Sequence, residues 1–528
     1  MSEIFELSRF ERAETQDRSV VLPFTLDQRK EKQATFPQIS PNGHGSSSPL
    51  PLIKKLCAAL KSQQISYCQW KSNWQLDSAL NGFGDLDLLV ASSDARRFIA
   101  TVSELGFVQA APAGNEEQVG LAHFYGWDSK AEKFVHLHVY FRLLLGHELT
   151  TNFHLPLEHP LLDSVSSEGL IPVPQAEFEL VLFVLRKVLG VWPIEIILRR
   201  IVAGPADFIK TARELEHLEA RTDRATVHQL LERNAPEIST PFFERCLESL
   251  RLESSVRNRL IVASRLKRVL AGYTRRRPFV NAILQCRRML SDRLRDRIVG
   301  RRLATGGSLI ALVGGDGAGK TTAVTSLTSW LDQDFAVKRF HFGKPRRSPF
   351  TFAVIIALKI RGVISHVTSG GRERSNDSDE NPGYLDLLRW TCVARDRVRT
   401  YLKARRFANN GGIAICDRYL LPNVYLMDAP NIAQSLEQTE LTWVSKALLR
   451  AETRYYKRIL PSDLLFVLRL DPAIAVSRKT SEPAEHVRER SQELWEADWN
   501  DTRAHLVDAS QSPEKVLADL RALIWQHI

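Results

Sequence analysis

The sequence lacks long hydrophobic runs and closely spaced cysteine pairs. No stretch of the 528 residues approaches the length of about 20 apolar residues that a membrane-spanning helix needs. The nearest, 350–364, is interrupted by Lys359 and Arg361, so we predict a buried helix, with an interfacial helix as the alternative. The six cysteines contain no CxxC pair, which argues against a zinc or disulfide framework and favours reduced thiols in a cytoplasmic protein. The opening MSEIFELSRFERAE also lacks the basic-then-apolar pattern of a secretory signal.

The positive charge of the chain is concentrated in one segment. Residues 251–302 contain 16 Lys or Arg and only 3 Asp or Glu, in a chain whose net charge is +11. Nucleic acid or an anionic membrane surface could bind such a segment, but it has no interleaved aromatic residues of the kind that stack on bases. Leu252, Val256 and Leu260 recur at helical spacing, so we favour the solvated face of connecting helices.

Composition and periodicity divide the chain into four segments, with no internal repeat. Residues 1–48 predict a disordered tail and linker, because they contain PNGHGSSSPLP and little apolar periodicity. Residues 49–170 alternate helix and strand, which predicts an α/β module. Residues 171–304 predict a helical, basic connecting region. Residues 305–528 alternate again, which predicts an α/β fold with a parallel sheet and helices on both faces.

The most specific motif follows the apolar run 309–313, a predicted strand. The sequence GGDGAGKTT contains a glycine, four residues, then glycine, lysine and a hydroxyl residue, the pattern of a phosphate-binding loop. Its backbone N–H groups and the next helix would surround a polyphosphate. We predict that Lys320 reaches the β- and γ-phosphates, that Thr321 binds Mg²⁺, and that Thr322 begins the helix proper. The predicted nucleotide-binding residues are Gly314, Asp316, Gly317, Ala318, Gly319, Lys320, Thr321 and Thr322.

Two later motifs extend this prediction. Asp417 ends the apolar strand 413–416, where a carboxylate meets the metal of a bound nucleotide, and Arg418 follows it as a candidate phosphate ligand. A further strand, 464–470, precedes a polar stretch with three arginines whose planar donors suit a transferring phosphoryl group. These are Arg478, Arg488 and Arg490. A charged surface helix is the alternative for this stretch.

Residues 306–528 resemble thymidylate kinase and its relatives among the nucleoside monophosphate kinases. The matching sequences are GGDGAGKTT, VARDR, CDRY, PSDLLFVLRLDP and HLVDASQSPEKVLADL, in the expected order. The resemblance implies an ATP- and Mg²⁺-dependent phosphotransferase that acts on a small-molecule acceptor, with Mg²⁺ held by Thr321 and Asp417. It implies catalytic roles for Lys320, Asp417, Arg418, Arg478, Arg488 and Arg490, and acceptor binding by Arg397 and Arg418. Because Ala318 stands where some members have a basic residue, the catalytic arginine is expected from the family's lid, which corresponds to the arginine-bearing stretch 478–490 of this chain. A homodimer is left open.

The acceptor side departs from that family. HFGKPRRSP at 341–349 replaces an arginine-glutamate-proline element, and LLPNVYLMDAP at 420–430 replaces residues that read the base. The acceptor therefore need not be dTMP and is expected to be a nucleotide, a sugar or another phosphorylatable molecule.

A second constellation lies near the N-terminus. Asp85 and Asp87 are two apart on a predicted strand, so their carboxylates share one face and can bind Mg²⁺ for attack on an α-phosphate. The segment 52–142 resembles uncharacterised nucleotidyltransferase-like families, which combine a lysine turn, here Lys71-Ser72, with DLDLLV and a later strand carrying an acid and a histidine.

That later strand reads Val135-His136-Leu137-His138, so a histidine stands where the third carboxylate is expected. Mg²⁺ at Asp85 and Asp87 is therefore expected only if this module is active; otherwise the fold only binds a nucleotide or substrate. The alternative function is a nucleotidyltransferase of polysaccharide or nucleotide-sugar metabolism with an accessory kinase domain. A third, non-enzymatic hypothesis uses 251–302 to bind nucleic acid or membrane, with ATP as a switch.

Overall fold

The computed structural model describes residues 48–112, 119–166, 168–193, 206–294, 300–368, 383–421, 432, 442–500 and 502–528. Outside the described residues lie almost all of the expected tail 1–48, most of the segment 420–430 that differs from the kinase family, and residues 295–299 of the basic segment. The boundaries of the four predicted segments stay a prediction.

The described part of the N-terminal module combines a mixed sheet with four helices. Its helices are α1 (Pro51–Ser62), α2 (Leu76–Leu80), α3 (Ala95–Glu104) and α4 (Glu158–Asp163). Its main strands are β1 (Tyr67–Gln69), β2 (Leu86–Val90), β3 (Val108–Ala111), β4 (Leu121–Asp128) and β5 (Lys133–Tyr140). Two small ladders follow, formed by β6 (Leu144–Leu145) with β7 (Phe153–His154) and by β8 (Val165–Ser166) with β9 (Val173–Pro174).

Strand alternation gives the main sheet two different faces. The strand order is β1-β2-β5-β4-β3, with β2 and β5 parallel and the other pairs antiparallel. Leu86, Leu88, Leu137 and Val139 point to one face, where they form a core with α1 and α3. The opposite face therefore receives the residues between them, including Asp87 and His138.

The connecting region is helical, as its periodicity predicts. Its helices are α5 (Ala176–Leu189), α6 (Ala206–Glu219), α7 (Arg224–Asn234), α8 (Thr240–Leu250), α9 (Val256–Val269) and α10 (Pro278–Leu294). The sequence of α5 is apolar almost all round, and the helix is buried along nearly its whole length. It shares one hydrophobic core with Trp70 and Leu89 of the N-terminal module.

Part of the basic segment is structural rather than solvated. Arg259 is buried and donates to the carbonyls of Arg251 and Ser254. Arg275 and Arg276 donate to carbonyls in the 150–151 loop of the N-terminal module. The expected solvated face is therefore wrong for these arginines, because their guanidinium groups donate to backbone carbonyls.

The C-terminal segment confirms the expected parallel sheet. Its strands are β11 (Leu309–Gly314), β12 (Val337–His341), β13 (Ile413–Asp417), β14 (Leu464–Arg469) and β15 (Ala504–Asp508), in the order β12-β13-β11-β14-β15. All neighbouring pairs are parallel. Its helices are α11 (Lys320–Leu331), α12 (Pro349–Thr368), α13 (Tyr384–Asn409), α14 (Trp443–Tyr456), α15 (Pro472–Arg478), α16 (Ala484–Glu496) and α17 (Pro513–His527). The strand order reverses at β11, and a crevice at the carboxyl end of such a strand is where open α/β sheets bind ligands.

The structure corrects two sequence expectations in this segment. The helix α11 begins at Lys320 rather than Thr322, because Gly319 before it takes a left-handed conformation with φ +77°. The helix α12 is not buried along residues 349–360, where its side chains are described: Phe352, Ile356 and Ile360 are exposed, while Thr351 and Val354 are buried and the helix packs against α13. No helix within the described ranges is long and apolar enough to cross a membrane.

The two α/β parts are in direct contact. The short strand β10 (Arg302–Leu303) pairs antiparallel with the outer edge of β3 and so extends the N-terminal sheet. On the sheet face that carries Asp87, Phe134 stacks on Trp330 of α11 with 5.4 Å between ring centroids. It also contacts Phe335 and Trp525 of α17 edge-on. On this face of the sheet, the end near Phe134 therefore packs against the C-terminal part through apolar rings, whereas the end with Asp87 and His138 is polar.

Candidate functional sites

The phosphate-binding loop closes around its own lysine. Gly317 and Gly319 have φ values of +75° and +77°, which L side chains rarely adopt, so the glycines are needed for this turn. Lys320 Nζ donates to the carbonyl oxygens of Gly314 and Gly315, each at 2.6 Å. Burial lowers the pKa of Lys320 to about 8. The lysine is thus held by neutral acceptors at the N-terminus of α11.

The neighbouring strand end brings Asp417 beside the loop. In the parallel pair β11–β13, Asp417 lies in register with Leu312, and Arg418 follows it with a left-handed φ of +57°. The hydroxyl of Thr321 and the carboxylate of Asp417 are oxygen donors, and such donors fit Mg²⁺. Arg339 Nη2 lies 2.7 Å from Asp417 Oδ2, so an arginine also holds this carboxylate.

Arg339 was missed in the sequence because it lies inside β12, between Lys338 and Phe340, and belongs to no motif. His341, two residues later on the same strand face, lies 3.9 Å from Asp417. The alternation of Arg339 and His341, which places both on one face of a strand, was the available signal.

The three lid arginines lie in different environments. Arg490 Nη2 lies 2.9 Å from Asp316 Oδ2 in the loop and also pairs with Glu482. Arg478 donates to the carbonyls of Ala509 and Ser510 after β15. Arg488 is exposed on α16. The structure therefore brings Arg490 to the phosphate-binding loop and places Arg488 on the surface.

The predicted acceptor residue Arg397 is buried in α13. Its Nη1 donates to the hydroxyl of Tyr456 at 2.7 Å, and its Nε donates to the carbonyl of Phe342. The adjacent Asp396 accepts from Ser348 and Thr351, so it anchors the end of the divergent segment 341–349. These contacts fix the segment 341–349, which differs from the kinases that the chain resembles, to the helix that carries Arg397.

In the N-terminal module, the predicted lysine and aspartate form an ion pair. Lys71 Nζ lies 3.0 Å from Asp87 Oδ1 and donates to the hydroxyl of Tyr140 at 2.8 Å. Burial by itself lowers the pKa of Lys71, but the charge of Asp87 and the contact with Tyr140 raise it above its usual value. Lys71 therefore already has an anionic partner.

Histidines hold both aspartates of this module. His136 Nδ1 lies 2.8 Å from Asp85 Oδ1, and His138 Nδ1 lies 3.1 Å from Asp87 Oδ1. A third histidine, His123 on β4, places Nδ1 3.3 Å from Nε2 of His136. Burial lowers the pKa of His123 to about 2 and that of His136 to about 4, so both rings are neutral near pH 7.

These donors do not fit a Mg²⁺ clamp at Asp85 and Asp87. Mg²⁺ prefers oxygen ligands, whereas the groups beside the two carboxylates are imidazole nitrogens and the ammonium of Lys71.

His123 was missed in the sequence because it contacts the other histidines only across a hairpin. His123 lies directly opposite His138 in the antiparallel pair of β4 and β5. Counting the residues of both strands outward from the turn between them would have predicted this pair from the sequence.

No protein-family model matches the chain. Over 221 residues it is 23% identical to the uncharacterized ATP-binding protein YghR of Escherichia coli K12, a match that covers 40% of this chain and 83% of the relative. Over 224 residues it is 27% identical to the thymidylate kinase of Symbiobacterium thermophilum, a match that covers 41% of this chain and 91% of the relative. The structure of Candida albicans thymidylate kinase shares 18% identity with it over 42% of this chain and 92% of that chain, with a TM-score of 0.29. The sequence similarity is distant and suggests a P-loop nucleotide kinase-like function for part of the chain.

Proposed function

We propose that the C-terminal part of this chain is an ATP- and Mg²⁺-dependent phosphotransferase. The observation that carries the proposal is the conformation of the loop 314–321, in which two carbonyls hold a buried lysine at a helix N-terminus. A polyphosphate that enters the loop replaces neutral acceptors by anionic ones, so binding strengthens the interactions of Lys320. Distant similarity to a thymidylate kinase and to an ATP-binding protein supports the same class of function.

The proposed roles follow from the contacts around the loop. The amides of the loop and Lys320 bind the β- and γ-phosphates, while Thr321 and Asp417 would hold Mg²⁺. When bound, the ion neutralises charge on the transferring phosphoryl group. Arg490 is placed beside the loop by Asp316 and would stabilise the negative charge on the γ-phosphoryl.

The proposed acceptor is a nucleotide, sugar or other small phosphorylatable molecule, and it need not be dTMP. Arg418 would bind its phosphate or hydroxyl next to Asp417, while Arg397 would support this side from α13. Ser348 and Thr351 form a buried polar cluster with Asp396 at the position where the sequence departs from the kinases it resembles. Specificity for the acceptor would depend on this divergent side.

The test combines product identification with one substitution. The purified full chain is incubated with ATP, Mg²⁺ and panels of nucleotides and sugars, while ADP release and phosphorylated products are measured. We expect turnover with one acceptor class and its loss in Lys320→Ala. The matched control Lys446→Ala, at an exposed lysine of α14, should keep full turnover. Unchanged turnover in Lys320→Ala would falsify the proposal.

Nucleotidyl transfer by the N-terminal module is the second candidate function. One observation favours it: Lys71 and His138 both contact Asp87, and His138 also lies beside Asp85, so the residues of the resemblance lie together although their surroundings do not fit a Mg²⁺ clamp. Asp87→Asn is then expected to abolish pyrophosphate release from nucleoside triphosphates while ATP binding at the C-terminal loop persists. Pyrophosphate release that survives this substitution removes the candidate.

A further inference from the structure

We propose that the N-terminal sheet binds a divalent d-block metal ion through the imidazole nitrogens of His123, His136 and His138. One nitrogen from each of the three rings lies within 4.8 Å of the others. The inference goes beyond the phosphotransfer proposed above and does not depend on it.

The spacing of two of the nitrogens matches shared coordination. His123 Nδ1 and His136 Nε2 are 3.3 Å apart. Zinc–nitrogen bonds of about 2.0–2.1 Å in tetrahedral geometry place two ligand nitrogens about 3.3–3.4 Å apart. An ion bound by both nitrogens would replace the hydrogen bond that the two rings now share, with the nitrogen of His138 within 4.8 Å of each.

The two aspartates orient the histidines as ligands. The carboxylates of Asp85 and Asp87 accept from Nδ1–H of His136 and His138, so the lone pair of each ring is on Nε2. Carboxylates that fix the tautomer of a metal-binding histidine in this way are general in metal sites. This arrangement gives Asp85 and Asp87 a role that differs from direct binding of Mg²⁺.

His138 Nε2 is the second indication of a ligand. It is a buried nitrogen without a hydrogen-bond partner in the described structure. Its nearest carboxylate oxygen, Asp85 Oδ2, lies 3.6 Å away, which is too far for a hydrogen bond. A buried lone pair without a partner is costly, and a bound cation removes that cost.

The backbone holds the three rings rigidly. His123 and His138 are paired across the antiparallel strands β4 and β5, and His136 lies two residues before His138 on the same face. Tyr125 stacks on His136 with ring centroids 4.1 Å apart and 10° between the planes. The site is therefore built on strands of a sheet rather than on mobile loops.

The nitrogen ligands define the class of metal. Imidazole suits zinc, cobalt, nickel, copper and iron, whereas Mg²⁺ prefers oxygen ligands and keeps several waters. The side chain of Asp85 is 45% exposed, so solvent reaches the site from this side. A water or a small anion would complete the coordination, which is the open arrangement of a catalytic rather than a closed structural site.

Cobalt titration tests the site directly. The untagged full chain, stripped of metal, is titrated with Co²⁺ while visible absorption is recorded. We expect the absorption bands of a nitrogen-rich, four- or five-coordinate site that saturate at a single equivalent. His136→Asn and His138→Asn should abolish the bands. The matched control His154→Asn should keep them, because His154 binds Glu158 elsewhere in the same module.

Three results would overturn the proposal. These are bands that persist in both histidine variants, bands that the control loses equally, and displacement of Co²⁺ by excess Mg²⁺. X-ray absorption of the zinc-loaded wild-type chain needs no substitution, so it decides the question if a variant fails to fold. We expect scattering from three imidazole rings, and a first shell of oxygen atoms alone would contradict the site.

Discussion

The two α/β parts of the molecule each hold a lysine in a candidate nucleotide site, Lys320 buried and Lys71 half-buried, and the partners of the two lysines are opposite in kind. Lys320 is bound by the carbonyls of Gly314 and Gly315, and its pKa is lowered to about 8. Lys71 is bound by the carboxylate of Asp87 and the hydroxyl of Tyr140, and its pKa is raised. One lysine lacks an anion that a phosphate can supply, whereas the other already has one.

The difference teaches that a lysine near acidic residues is not sufficient evidence for phosphate binding. The loop before α11 is closed by left-handed glycines, so backbone dipoles surround Lys320. The strands β2 and β5 instead place Asp87 and His138 directly opposite each other, beside Lys71. Neighbours rather than the lysine itself decide which site is ready for an anionic ligand, and substitutions at each lysine test this.

The largest expected effect is on turnover. Lys320→Met should lower kcat/KM for ATP-dependent phosphotransfer about 10³-fold, because a phosphate-binding cation is lost from the transition state. Lys71→Met should leave the same rate within about twofold, since Lys71 lies in the other module. Steady-state ADP release measures both. Equal losses in the two variants would show that the modules act as one catalytic unit.

The free energy of unfolding should fall more in Lys71→Met than in Lys320→Met, the reverse of the order expected for turnover. Lys71→Met leaves the carboxylate of Asp87 buried without its cation, so the free energy of unfolding should fall by about 3 kcal/mol. Lys320→Met removes a desolvated cation that no carboxylate holds, so stability should stay close to that of the wild type. Denaturant titration monitored by circular dichroism compares them.

The double variant Lys71→Met with Asp87→Asn is the control for that comparison. It should lose less stability than the sum of the two single variants, because the ion pair is removed as a whole. Additive losses would mean that Lys71 and Asp87 do not stabilise each other.

The sequence predicted the elements whose signals are local. The strand 309–313, the glycine loop and Lys320 follow one another within a short segment, and turn chemistry alone places them together. Asp85 and Asp87 were likewise predictable because alternation along one strand sets their shared face. Fold class in the C-terminal part followed from regular alternation of strands and helices.

Contacts between distant segments could not be predicted in the same way. Arg339 reaches Asp417 only because β12 pairs with β13, 78 residues further along the chain. His123 meets His136 and His138 through the register of a hairpin. The exposed face of α12 was missed because an apolar sequence does not say which neighbours will cover it.

The lid arginines sharpen the description of the C-terminal site. Arg490→Ala should lower kcat about 10²-fold, because this side chain reaches Asp316 in the phosphate-binding loop and would stabilise the transferring charge. Arg488→Ala, on the same helix but exposed, is the matched control and should change kcat less than about twofold. Single-turnover phosphotransfer separates this effect from ATP binding. A larger loss in Arg488→Ala than in Arg490→Ala would contradict the assignment.

The smallest expected effect is a pH dependence that only Lys320 should show. Because its pKa is about 8 without ligand, and bound phosphates favour the charged form, ATP binding should take up a proton above that pH. The Kd for ATP should then rise up to about tenfold per pH unit above pH 8, and Lys320 should add no pH dependence well below it. Calorimetry in two buffers of different ionisation enthalpy measures the proton. Lys320→Arg should abolish the uptake, because a guanidinium stays charged; an unchanged profile in this variant would assign the titration to another group.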